Sequence, residues 1–130
     1  MKKVTGIGGI FFKTADPRKT KEWYEKHLGV IPDSDGYISF YWREKDEPET
    51  VGFTAWSPFS QDTNYFEPSQ APFMINFRVD DLDALLEQLK AEGVQVVGEI
   101  EEYDYGRFGW IIDPEGIKIE LWEPPKGSKD

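Results

Sequence analysis

No cysteine occurs among the 130 residues of this chain. Disulfides, thiolate metal sites, cysteine nucleophiles and thiol redox chemistry are therefore excluded. Histidine is almost as scarce, with His27 the single one. Basic charge is also short: 15 Lys and Arg stand against 25 Asp and Glu, a formal net charge of −10. Phosphate recognition needs clustered cations, so no nucleic-acid partner is expected, and a cationic ligand is favoured over an anionic one. The same acidity also serves plain solubility. No apolar run approaches the roughly 20 residues that span a bilayer, so no membrane partner is expected. Met1-Lys2-Lys3 leads straight into a strand pattern with no apolar signal region, and a cytoplasmic location is the expectation. Aromatic residues, by contrast, are plentiful at 15%. That exceeds what a small core needs and points to rings lining a pocket or an interface.

Hydrophobic periodicity and turn chemistry divide the chain into two similar halves. Val4 to Thr14 reads as a strand interrupted by Gly6, Gly8 and Gly9, where glycine marks a bulge or a close approach to the backbone. Asp16-Pro17 opens a helix that Gly29 closes. Strands follow at 36–44 and 50–56. A proline-containing stretch then joins the halves, as a linker or a lid. Phe73 to Val79 is a strand, Asp80-Asp81 cap a helix with leucines at 82, 85, 86 and 89, and Gly93 ends it. Strands at 94–100, 108–112 and 117–122 complete the second half, with a polar turn at 101–107. The expectation is one domain. Module one covers 4–58, the linker 59–72, module two 73–124 and a frayed tail 125–130. The fold class is α+β, two βαβββ modules forming an incomplete mixed-sheet barrel with helices outside.

Alternation along each strand assigns faces. In the last strand Ile117, Ile119 and Leu121 belong under a helix, leaving Lys118, Glu120 and Trp122 on the concave face. Met74, Asn76 and Arg78 share that face, as do Gly9 and Phe11. Thr54 and Trp56 are placed there too, with Phe53 and Ala55 beneath. With Trp110 added, the expected ligand-binding set is Phe11, Trp56, Met74, Asn76, Arg78, Trp110, Lys118, Glu120 and Trp122. Apolar walls with a few convergent polar groups suit a small molecule. Arg78 and Lys118 equally suit a structural role, neutralising Glu120. Tyr103, Tyr105 and Arg107 either clamp a ligand or pack the linker.

The segments Phe77-Arg78-Val79-Asp80-Asp81-Leu82-Asp83, Lys90-Ala91-Glu92-Gly93-Val94 and Asp113-Pro114-Glu115-Gly116, running into Ile119-Glu120-Leu121-Trp122, carry a family likeness. With the duplicated layout, they make the chain resemble the vicinal oxygen chelate superfamily, which includes glyoxalase I, extradiol dioxygenases and the bleomycin resistance proteins. The likeness spans roughly Val4 to Pro124. It implies a divalent metal held at four positions, which here read Gly9, Thr54, Met74 and Glu120. Only Glu120 is a competent donor for a hard or borderline ion. No cofactor is therefore expected. His27 falls near the end of the first helix, outside the barrel, where it cannot complete a metal site or a Ser-His-Asp triad.

Three readings follow. The first is a metal-free protein of the bleomycin-resistance kind that binds a small, cationic molecule in an aromatic cavity. The second is a lyase, isomerase or dioxygenase of the same superfamily, with Glu120 as the best catalytic candidate. The third is an interaction module with a vestigial cavity. The resemblance and the open sheet edges together imply a homodimer.

Overall fold

The computed structural model describes residues 3–125, so the tail from 126 onward lies outside the described residues. Seven strands and two helices follow in the order β1 (Val4–Thr14), α1 (Pro17–Leu28), β2 (Ser39–Arg43), β3 (Val51–Ser60), β4 (Phe73–Val79), α2 (Leu82–Ala91), β5 (Val96–Tyr103), β6 (Gly106–Ile112) and β7 (Lys118–Glu123). Module one thus contributes three strands where module two contributes four. Strand β3 runs four residues further than its expected end, through Pro58 to Ser60. Strand β5 also lengthens, leaving a short turn before β6 in place of the expected 101–107 turn.

The sheet order is β2-β3-β1-β4-β7-β6-β5. Each module pairs its first strand in parallel with its last, β1 with β3 and β4 with β7. The modules join antiparallel through β1 and β4. The sheet is mixed and does not close into a barrel: β2 and β5 remain its edges. The fold is α+β.

Both helices start and stop on local chemistry. The Asp16 carboxylate accepts from the Lys19 amide, Pro17 fills the first turn, and Gly29 takes a left-handed φ of 69° that side chains avoid. Asp81 caps α2 in the same way, accepting from the Ala84 amide. The two helices differ in what they bury. Leu82, Leu85 and Leu86 of α2 form the main core with Val79 and Leu121. No residue of α1 is buried; Tyr24 packs from it onto Trp56. With Leu121 and Val79 under α2, the alternate residues of β4 and β7 turn to the opposite face, where the site lies.

Candidate ligand-binding cavity

A cavity of about 490 Å³ opens on the face away from the helices. Its inner end is made by Gly8, Asn76 and Glu120; its walls are Phe11, Phe53, Ala55, Phe59, Tyr65, Phe108 and Trp122; its mouth carries Glu101, Tyr103 and Tyr105. Eight of these thirteen residues are aromatic. At the mouth the Tyr103 and Tyr105 rings stack, with centroids 5.2 Å apart and planes within 6°. The Tyr103 hydroxyl donates to the Glu101 carboxylate.

Glu120 is the centre of the inner end. It is 3% exposed, and a carboxylate taken this far from water must be compensated. Three uncharged donors do so. The Asn76 amide donates to Oε1 at 2.7 Å, the Trp110 indole N–H donates to Oε2 at 3.0 Å, and the Tyr65 hydroxyl donates to Oε2 as well. Register explains the first two: Asn76 of β4 and Trp110 of β6 each pair directly with Glu120 of β7. Tyr65 comes from the connecting segment. Burial first, then the charge on Glu120, pushes its phenol well above the ordinary tyrosine range.

The neutralising ion pair of Glu120 with Arg78 or Lys118, one of the two readings of those residues, is not formed among the described residues. Arg78 lies with its guanidinium over Trp42 and one nitrogen 3.5 Å from the Val51 carbonyl oxygen. Lys118 donates to the Tyr65 carbonyl oxygen at 2.7 Å and lies near the Tyr65 and Trp110 rings. Burial lowers its pKa, while Glu120 pulls the other way. Lys118 therefore fastens the connecting segment. That segment is more than a linker: Phe66 is fully buried against Met74 and Trp110, and Tyr65 covers Glu120.

Of the residues expected to face the cavity, Phe11, Asn76, Glu120 and Trp122 line it. Met74 and Trp110 sit on the same side but deeper, in the small core with Phe66. Trp56 is on the opposite face, packed on Phe12 at 5.2 Å and Tyr24 at 4.6 Å. Phe53 and Ala55 take the cavity face in its stead. The cause is a one-residue slip. Gly9 pairs with Ala55, as Asn76 pairs with Glu120, so Ala55 and not Thr54 is the module-one counterpart of Glu120. A slip of one inverts every face on a strand. Strand β1 adds a second irregularity, a register shift between Ile7 and Gly9, which lets Gly8 and Phe11 serve one cavity. Phe53 and Ala55 were thus assigned to the wrong face, while Tyr65, Phe59 and Phe108 were not singled out from sequence; only the surplus of aromatics hinted at them. Of the mouth residues, Tyr103 and Tyr105 line the cavity, while Arg107 turns away to make a bidentate pair with Asp83 of α2.

The four positions implied to hold a metal do not fit one. Gly9 has no side-chain donor. The Thr54 hydroxyl donates to the Ile7 carbonyl oxygen at 2.5 Å and accepts from the Trp42 indole at 2.9 Å. Met74 is wholly buried, and its thioether suits soft ions only. Glu120 is engaged by three protein donors. Among the described residues no three His, Asp or Glu side chains converge as metal ligands.

Comparison with known proteins places this geometry in a lineage. The profile of the Glyoxalase/Bleomycin resistance protein/Dioxygenase superfamily matches residues 6–121. The chain belongs to this superfamily. No curated protein sequence matches it significantly. Among solved structures similar to this glyoxalase-superfamily chain is methylmalonyl-CoA epimerase from Mycobacterium tuberculosis, at 25% identity and TM-score 0.59, covering 96% of this chain and 91% of that one. A methylmalonyl-CoA epimerase from Streptomyces coelicolor, in complex with 2-nitronate-propionyl-CoA, is 18% identical with TM-score 0.67, covering 93% and 98%. A protein described as an NAD-dependent benzaldehyde dehydrogenase from Legionella pneumophila also matches, at 17% identity and TM-score 0.59, covering 90% and 98%. Neighbours named for such different activities share this fold, so the fold alone does not fix the chemistry and the site must.

Proposed function

We propose that this glyoxalase-superfamily protein binds a small organic cation in its aromatic cavity without a divalent metal. One observation carries the reading: the lining holds two carboxylates, Glu101 and Glu120, among eight aromatic rings, and no lysine or arginine. Ring faces and carboxylates both attract cations, and a desolvated cation over an aromatic ring gains about 2 kcal/mol. An acyl-CoA ester of the kind named for the epimerase neighbours carries phosphates, and its methylmalonyl group a carboxylate. Such anions would meet Glu101 and Glu120, and the nearby cation, Lys118, lies behind the Tyr65 ring and donates to the Tyr65 carbonyl oxygen.

The enzymatic alternative, with Glu120 as acid or base, is less well supported. Both oxygens of Glu120 already accept hydrogen bonds from the protein. The neighbouring Tyr65 phenol, raised by burial, is a poor acid. Binding and sequestration need neither group to move a proton.

A titration followed by tryptophan fluorescence, using Trp122 in the wall as reporter, tests the reading. The probes are N,N-dimethylbenzylammonium, its neutral carbon isostere and phenylacetate. Saturable binding of the cation, with the neutral and anionic probes about ten-fold weaker or more, is expected from cation–ring and carboxylate attraction. Phenylacetate binding as tightly as the cation would overturn it.

A further inference from the structure

Strand β2 carries the cavity face of the sheet further than the cavity described above. Tyr41 of β2 pairs directly with Phe53 of β3, and Ser39 with Ala55. Residues directly opposite in an antiparallel pair project to the same face. Ser39 and Tyr41 therefore stand beside the two β3 residues that line the cavity. The rings run on in the same direction. The Trp122 and Phe53 centroids are 5.4 Å apart, and those of Phe53 and Tyr41 5.9 Å. An aromatic floor thus reaches from the cavity wall to the edge strand.

Over this outer floor lies a second cavity, of about 590 Å³. Phe53, Ala55 and Tyr105 line both cavities. None of the three is placed to wall one from the other. Ala55 has only a methyl group. The Phe53 ring is part of the floor, in contact with Trp122 and Tyr41. The Tyr105 ring is engaged at the mouth, stacked on Tyr103 and edge-on to Phe108.

The two ends differ in charge. The inner one holds Glu101 and Glu120 and no lysine or arginine. The outer one holds one charge of each sign, Lys21 and Asp33. Asp33 is already engaged, accepting from the Asp35 and Tyr37 amides of its own turn. Tyr37, Tyr41 and Trp56 add rings there. An uncharged aromatic group suits such a surface, whereas a second cation would meet Lys21.

We propose that the two cavities form one groove, and that its ligand is an elongated monocation with the charge at the inner end and an uncharged aromatic group at the outer end. The inference rests on the organic-cation reading above and deepens it, by giving the ligand a second recognised part.

The experiment is a calorimetric comparison of N,N-dimethylbenzylammonium with its para-benzyloxy derivative on the intact protein. The two share the cationic end and differ by one uncharged ring. The derivative is expected to bind about ten-fold or more tightly, the size of burying one further ring. Tyr41→Ala is expected to bring the ratio of the two dissociation constants close to one. Tyr41 is 66% exposed, so its replacement leaves the fold intact. Equal or weaker binding of the longer probe to the wild type would overturn the single groove while leaving the cation-binding reading in place. A gain that survives Tyr41→Ala would put the second ring elsewhere and overturn it as well. Binding of neither probe would overturn both readings.

Discussion

Glu120 is held by hydrogen-bond geometry, with Lys118 attracting it from beyond ion-pair distance. Three neutral donors converge on it, and a carboxylate is the only side chain of its size that accepts from all of them. Replacing it with glutamine turns an NH2 group toward at least one of those donors. Glu120→Gln is therefore expected to destabilise the protein by about 1–3 kcal/mol, the cost of a buried polar group left unpaired. The check is a lowered urea midpoint at unchanged slope. Tyr65 gives a pH signature. Its folded-state pKa is raised, so the unfolded chain ionises near pH 10 while the folded one keeps its proton. The stability this contributes is complete below about pH 10 and drains away as pH rises above it. Lys118, lowered by burial, acts with the opposite sign in the neighbouring window. Tyr65→Phe removes only the first effect, so its stability is expected to fall less steeply than the wild type's between pH 10 and 11, measured by chemical unfolding. At this scale sequence legibility was uneven. Asn76, Glu120 and Trp122 were readable because β4 and β7 alternate cleanly. Tyr65 was not, since an irregular segment has no periodicity to say where a side chain points.

The elements themselves were legible from their ends. Asp16, Pro17 and Gly29 bound α1, and Asp81 bounds α2 at its start, each by the capping interaction that its type predicts. Strand β3 was the exception. The proline-containing stretch reads as a linker, yet β3 continues through Pro58 to Ser60, and its register puts Ala55 where Thr54 was expected. Backbone pairing, which no short motif encodes, decides that register. The two helices also differ more than their similar caps suggest. Leu85 of α2 is buried in the main core, while Leu28 at the end of α1 is 61% exposed. Leu85→Ala is expected to cost about 2–5 kcal/mol, and Leu28→Ala to change the stability of the isolated chain by no more than about 0.5 kcal/mol. Thermal unfolding of the pair at low protein concentration reads the contrast; comparable losses would mean that α1 is packed as tightly as α2.

For the whole molecule, the open sheet has consequences. Strand β2 is an edge, and Phe40 and Tyr41 on it, with Trp23, Leu28, Ile31 and Tyr37 nearby in sequence, are exposed. Apolar residues and an unpaired edge in one module favour self-association. A homodimer is the expected state, with light scattering giving twice the 15.0 kDa mass of the chain at tens of micromolar. Among the described residues no helix is long and apolar enough to cross a membrane. The superfamily fold was legible because its duplication, caps and turns are local. The cavity was less legible, because it is assembled from both modules and the segment joining them.

The most direct test of the central claim, that an organic cation binds here without metal, is a calorimetric titration of N,N-dimethylbenzylammonium into chelator-treated, untagged protein shown by elemental analysis to be metal-free. The account predicts saturable one-to-one binding that added divalent metal does not strengthen. No binding until a transition metal is restored would contradict it.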